Sequence, residues 1–465
     1  MTVQFDNSYA RLPGQMFTAM PPTPVTAPAF IATNEPLGHT LGFDTADLAD
    51  PAYFAGNRLL DGSEPLAQVY AGHQFGHWNP QLGDGRAILL GEVVGTDGMR
   101  RDIQLKGSGP TPYSRQGDGR AAIGPVIREY IVSEAMHALD VPTTRALAAV
   151  MTGETVYRET PLPGAVLTRV AESHIRVGTF QYFAARGDTS SLNALMEHVI
   201  DRHYPMADGP ESLLEQVIAS YAGLIAKWMS LGFIHGVMNT DNVSIAGETI
   251  DYGPCAFMDG YNPQTVFSAI DQYGRYAYAN QPGIGGWNMA QFATALIPLM
   301  PDMDAAIETF TQSVNQFPKI FDTEWRKLLC AKIGLSDSAA ALAQANALLD
   351  LMAKESADFT QVFAQLGGVA ARDLFVDRDA FDRWATAWTA LEPDAALMRS
   401  TNPQIIPRNH RVAEVITAAE TGDFAPFHQM LRAVTAPFAP LSSETEYYAR
   451  APTAGERVLR TFCGT

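Results

Sequence analysis

The chain has 465 residues, 46% of them hydrophobic, and a net charge of −18, enough for a substantial core and more than one structural unit. Such an acidic balance excludes a general nucleic-acid binder, which needs clustered Lys and Arg for phosphate backbones. No apolar run of about 18 residues indicates a membrane span, three cysteines do not make a disulfide framework, and MTVQFDNSYARLPGQMF lacks the basic and apolar regions of a leader. The expectation is a cytoplasmic protein with neither nucleic-acid nor membrane partners.

Residues 15–36 are Pro-rich and expected to lie extended over a surface. Between 64 and 106, the β-prone runs AQVYAGHQFG, RAILLGEVVG and RRDIQLKGSG are broken by Gly, Asn-Pro and Asp-Gly. GPVIREYIVSEAMHAL, 124–139, reads as a helix with Pro125 in its first turn. ALAAVMTG and AVLTRVAE suggest two more strands around a turn at 161–164. From about residue 170 the periodicity becomes helical: Leu214, Val217, Ile218, Tyr221, Leu224, Ile225 and Trp228 share one face over 211–231. A short hairpin is expected next, VSI and TIDYG around AGE, and then helices in WNMAQFATALIPLM and DSAAALAQANALLDLMAKESADF. The sum is an α+β, protein-kinase-like, two-lobed fold with a ligand in the cleft. Residues 1–60 form an extension packed on the lobes, 61–170 a β-rich N-lobe, and 171–465 a larger helical C-lobe.

The stretch HGVMNTDN, 235–242, carries the main chemical question. A phosphotransferase loop of the form His-Gly-Asp-Leu-x-x-x-Asn places a proton-accepting Asp where this chain has Val237. The other parts for holding a nucleotide triphosphate are present in order. GDGR at 83–86 and again at 117–120 offers flexible backbone, Lys106 ends a strand, and Glu129 stands on the following helix. Asn242 and Asp251 are oxygen ligands suited to Mg²⁺. Arg169 and Arg176 are placed to clamp phosphates. Asp241 is the nearest candidate base, and His235 is expected to bond backbone within the loop. These residues alone leave open whether the chain is a nucleotide-binding pseudokinase scaffold or an active enzyme, such as an atypical kinase, whose base has moved to Asp241.

The chain resembles the selenoprotein O (SelO/YdiU) family of protein adenylyltransferases, in the Cys-containing bacterial form. The resemblance is carried by VYAGHQFGHWNPQLGDGRAILLGE, IQLKGSGPTPYSRQGDGRA, LTRVAESHIRVGTFQYFA, HGVMNTDN, IDYGPCAFMD, NPQIIPRNHRV and the Cys in TFCGT. It implies ATP bound in a flipped orientation, with AMP rather than phosphate passed to Ser, Thr or Tyr hydroxyls of proteins, and UMP transfer from UTP as a related activity. It further implies that Gly83, Gly85, Arg86, Lys106, Asp118, Gly119, Arg169, Arg176 and Asp251 contact the nucleotide. Asn242 and Asp251 would hold Mg²⁺ or Mn²⁺, Asp241 would accept the proton, and Glu129 would orient Lys106. Redox-related proteins and the chain itself are the acceptors to be considered. Cys255 and Cys463 would form a reversible disulfide, while Cys330, in LLCAKIGL, is expected to be inert core.

Overall fold

The computed structural model of the protein describes residues 3–462. Strand alternation sorts the side chains of one antiparallel sheet, whose strands run in the order Phe17–Ala19, Leu66–Gln68, Ala87–Val94, Arg100–Lys106, Pro161–Ala171, Arg145–Tyr157 and Ala29–Thr33. A two-residue strand, Ala121–Ala122, pairs beside Pro161–Ala171. The Pro-rich N-terminal stretch is extended, as its composition implies, but it lies in the sheet and supplies both outer strands. Ile103, Leu105, Val166 and Val170 point to one face, where Leu37, Phe43 and Phe54 cover them. Leu167 and Ala149 point to the other, against Ile127 and Ile131 of the helix Ile123–Ala138. That helix is covered in turn by Asn409–Glu420 and Ala425–Val434 through Val412, Val415, Phe427 and Met430. Each fully buried aliphatic or Phe side chain of this kind contributes roughly 1.5–3 kcal/mol.

Four local expectations are corrected, three of them at turns and element ends. AQVYAGHQFG is not one strand: Leu66–Gln68 stays in the sheet, while Gly72–Gln74 leaves it to pair with His77–Asn79. The turn of this side hairpin has Phe75 and Gly76 at φ 52° and 84°, the twist that two-residue hairpin turns require. The turn in the long hairpin lies at 158–160, not 161–164, because Pro161 and Pro163 sit in the strand next to a register shift that relieves the missing donor. The Ala-rich helix stops at Glu355, where Ser356 turns left-handed at φ 52°, and Asp358 caps a new helix, Phe359–Gln365.

The helix Pro210–Ser230 buries Leu214, Val217, Tyr221, Leu224 and Trp228 against Phe292 and Phe317 in the largest apolar cluster. It delivers the chain to Phe233–Ile234, which pairs with Ala256–Phe257. The hairpin expected at 243–253 does not form. Ser244 bridges instead to Arg176 and Thr249 to Thr143, so the main-chain groups that would have paired with each other are taken by flanking segments. The architecture is therefore a mixed α/β chain: one sheet covered on both faces, followed by many helices. Arg408, of the PRNHR stretch, is buried and joins Asp358 at 2.9 Å to Asp259 and the carbonyl of Ala449, tying the C-terminal helices to the segment after Asp251. Among the described residues, no helix is long and apolar enough to cross a membrane.

Candidate active site

The register of two neighbouring strands builds the cationic wall of the site. Arg169 pairs with Gln104, and Leu167 with Lys106, so Gln104, Lys106 and Arg169 emerge on the same face, towards the helix that carries Glu129. Lys106 Nζ lies 2.6 Å from Glu129 Oε2 and 2.8 Å from Asp251 Oδ1. Arg169 Nη1 reaches Asp251 Oδ1 at 2.6 Å and Glu129 Oε1 at 3.2 Å, while its Nη2 is held by Gln104 Oε1 at 2.6 Å. Arg176 Nη1 donates to Asp251 Oδ2 at 2.7 Å and to the carbonyl of Asp241 at 2.6 Å. Asp251 makes these contacts from a left-handed backbone at φ 64°, a strained conformation for a non-glycine residue. Burial alone would raise its pKa, but Lys106, Arg169 and Arg176 outweigh burial and hold the carboxyl well below the usual range.

Asp241 is fixed from the opposite side by the side hairpin. Three successive hairpin residues bind three successive loop residues. The N–H of His73 donates to Thr240 Oγ1 at 2.7 Å, Gln74 Nε2 to Asp241 Oδ2 at 3.0 Å, and the N–H of Phe75 to Asn239 Oδ1 at 2.9 Å. The approach is so close at Gly72 that a Cβ there would stand 2.8 Å from Asp241 Oδ1. Asp241 Oδ1 itself is buried with no hydrogen-bond partner among the described residues. Burial pushes the carboxyl up to about 6, against the pull of Gln74 and Arg176. Asn242 Nδ2 donates to the carbonyl of Val237 at 3.0 Å, which leaves its Oδ1 for other use. His235 is buried and bonds the carbonyl of Ile250 at 2.9 Å, the structural role expected of it.

Lys106, Glu129, Arg169, Arg176, Asp241, Asn242 and Asp251 line one cavity of about 770 Å³, together with Gly83, Gly85, Arg86, Asp118, Gly119 and Val237. Asp118 is paired with Arg158 at 2.9 Å, which fixes the second glycine loop. Gly119 lies so tightly on Gly109 and Pro110, at φ 66°, that no side chain fits there. Among the described residues, no three His, Cys, Asp or Glu side chains are grouped to hold a metal by themselves. Asn242 and Asp251 both line this cavity with side-chain oxygens, a pair that could hold a hard cation only with phosphate oxygens or water completing the set.

The sequence reading missed Gln74, Gln104 and Asp84. Asp84 is buried beneath the first glycine loop, accepts the N–H of Gln68 at 3.1 Å, and is raised by burial to about 6. Alternation of Asp102, Gln104 and Lys106 along one strand was the available signal, since three polar residues there share one covered face. Cys330 is buried in the helix Phe317–Lys332, as expected. Cys255 is buried close behind Asp251, and its expected partner, Cys463, lies outside the described residues.

Comparison with known proteins is consistent along the chain. The family described as Protein adenylyltransferase SelO matches residues 1–435. The chain is 59% identical to "Protein nucleotidyltransferase YdiU" of Roseobacter denitrificans over 100% of both chains. It is 56% identical to the protein of that name in Ruegeria pomeroyi, again over 100% of both. It is 58% identical to the one in Jannaschia sp. over 99% of each.

Proposed function

This chain belongs to the protein adenylyltransferase SelO family and is a protein nucleotidyltransferase, and from that premise we propose that it transfers AMP from ATP to Ser, Thr or Tyr hydroxyls of proteins on a kinase-like, two-lobed fold. One observation carries the reading. Residue 237 is an apolar Val lining the cavity, whereas Asp241, four residues on, lines the same cavity with a buried carboxylate that keeps one oxygen unpartnered among the described residues. The base has moved along the loop rather than disappeared.

In this reading ATP lies with its γ end against Lys106, Arg169 and Arg176, and its α-phosphorus faces the mouth. Arg86 and the glycine backbone at 83–85 and 117–119 cradle the remaining phosphate oxygens. An acceptor hydroxyl oxygen attacks the α-phosphorus and forms the new O–P bond. The bond from that phosphorus to the oxygen bridging to the β-phosphate breaks, pyrophosphate leaves with the electron pair, and the hydroxyl proton passes to Asp241 Oδ1. A carboxyl near 6 is largely ionised at neutral pH yet basic enough to take that proton. Glu129 holds Lys106 in place. The oxygen-only pair Asn242 and Asp251 fits a hard cation such as Mg²⁺ or Mn²⁺. Such an ion supplies neutralisation of the phosphate charge when bound.

UTP is the alternative co-substrate, and direct competition with ATP decides between them. The need for a nucleotide triphosphate favours a cytoplasmic setting. Redox-related proteins and the chain itself are the first acceptors to assay. The Cys255–Cys463 disulfide is tested by mapping both peptides with and without reductant; no linked peptide under oxidising conditions would remove it.

The deciding experiment supplies ATP labelled on the α- or the γ-phosphorus, with Mg²⁺ or Mn²⁺, to the chain alone and with a lysate. Protein-bound label from α but not γ is expected. Label from γ alone would make the protein a kinase, and ATP binding with no transfer of either would make it a scaffold.

A further inference from the structure

A second cavity, of about 720 Å³, adjoins the catalytic one, and Phe75 and Ile270 line both. Its inner end is set by the side hairpin: Phe75 is bonded through its N–H to Asn239, and the preceding residue, Gln74, holds Asp241. The second cavity therefore begins one residue from the side chain that holds Asp241.

The wall of this groove carries a cation that the fold leaves unneutralised. Arg275 stacks with its Cζ 4.7 Å from the centroid of Trp287. Its Nε and Nη2 are buried with no hydrogen-bond partner among the described residues. Asp271, the acid closest to it in sequence, is already used, accepting the N–H groups of Arg275 and Tyr276 at 2.9 and 2.8 Å. Buried donors of a charged group left without acceptors are costly, and a turn of the Arg275 side chain into the groove it lines would let an incoming carboxylate relieve that cost with two charge-assisted bonds. On the rim stand Ile270, 61% exposed, and Tyr273, 96% exposed, large side chains that a docked chain would remove from water.

We infer that this groove docks the acceptor polypeptide and selects segments with a carboxylate side chain beside the target hydroxyl, paired to Arg275. The inference takes the acceptor's identity from the proposed AMP transfer. The chain's net charge of −18 repels acidic segments at long range, so such a preference must arise locally, at Arg275.

The test reads binding without turnover. Two fluorescein-labelled peptides, one Ser flanked by Glu and the same Ser flanked by Lys, are titrated by anisotropy with the full chain, saturated with a non-hydrolysable ATP analogue and Mg²⁺. The Glu peptide is expected to bind about tenfold tighter, and Arg275→Gln to reduce the difference to within about twofold. Arg275→Glu should reverse it. Equal affinities, a preference for Lys, no binding of either peptide, or a preference retained in Arg275→Gln would overturn the inference. Should the Arg275 variants fail to fold, Tyr273→Ala serves, because that side chain is exposed. It should weaken both peptides alike with an unchanged melting temperature, and unchanged affinity would count against the groove. Label transfer from α-labelled ATP, measured separately, reports on the activity itself, so failure of docking and failure of AMP transfer are distinguishable.

Discussion

Gln74 Nε2 donates to Asp241 Oδ2 across 3.0 Å, while Asp241 Oδ1 stays buried and unpartnered among the described residues. One oxygen of the carboxylate is anchored, and in the proposed role as base the carboxylate takes the proton on the other. The anchor also favours the ionised form. Since a base must be ionised to act, AMP transfer should fall about tenfold per pH unit below a limb near pH 6 and level off above it. Gln74→Ala should lower kcat by about 10- to 100-fold and move the limb to higher pH, because the hydrogen bond that lowers the pKa is gone. Asp241→Asn should abolish transfer with nucleotide binding intact. Transfer of α-label across pH 5 to 8 checks all three, and an unmoved limb in Gln74→Ala would remove Gln74 from this role.

Asp251 is the shared counterion of Lys106, Arg169 and Arg176. Asp251→Ala should abolish turnover and cost about 3 kcal/mol, since it leaves the buried Arg176 without a carboxylate and Lys106 and Arg169 sharing Glu129 alone. The same loss makes the cavity more positive. Added ATP, without divalent ions, should then raise the melting temperature more in the variant than in the parent. Equal shifts would mean that the three cations do not meet the phosphates.

Val237 is 6% exposed and lines the cavity. Val237→Asp restores the acid of a phosphotransferase loop in name only. It should cost roughly 2 kcal/mol for the buried carboxyl and give no protein-bound label from γ-labelled ATP. Appearance of γ-label would show that the nucleotide does not lie in the flipped orientation.

Much of this site was legible because it falls on periodic elements. Lys106 ends an alternating strand, Glu129 rides a helix whose span was read within a residue, and Asn242 and Asp251 sit in stretches with fixed local order. Gln104 carried a signal in the alternation of its strand, but Gln74 was not legible, because an amide there acquires its role only when another segment arrives. Residues 73–75 meet 239–241 through tertiary approach, and no local pattern records that meeting. The hairpin expected at 243–253 failed for the same reason. Its segments are strand-like, but the choice of partner was made by Arg176 and Thr143.

Glu248 offers a test of the buried charges behind the site. Burial, followed by the nearby charge of Glu172, lifts its pKa from 4.5 to about 8. Between those values the folded chain keeps a proton that the unfolded chain has released, so stability falls as pH rises through the window. Glu248→Gln can still accept the N–H of Glu172 and carries no charge. It should raise stability by under about 1 kcal/mol at pH 5 and by roughly 4 kcal/mol at pH 8. A gain of the same size at both pH values would exclude titration of Glu248 as the cause.

The two outer strands of the sheet have a consequence for the order of assembly. Phe17–Ala19 must wait for Leu66–Gln68, and Ala29–Thr33 for Arg145–Tyr157. Phe17–Ala19 can therefore pair early, whereas Ala29–Thr33 waits for a strand made much later, and until it docks, the Arg145–Tyr157 border of the nascent sheet stands open to other chains. Trimming the chain ahead of residue 36 would make that interval permanent, so a truncation chosen to tidy the Pro-rich start should be recovered as aggregate rather than as a smaller enzyme.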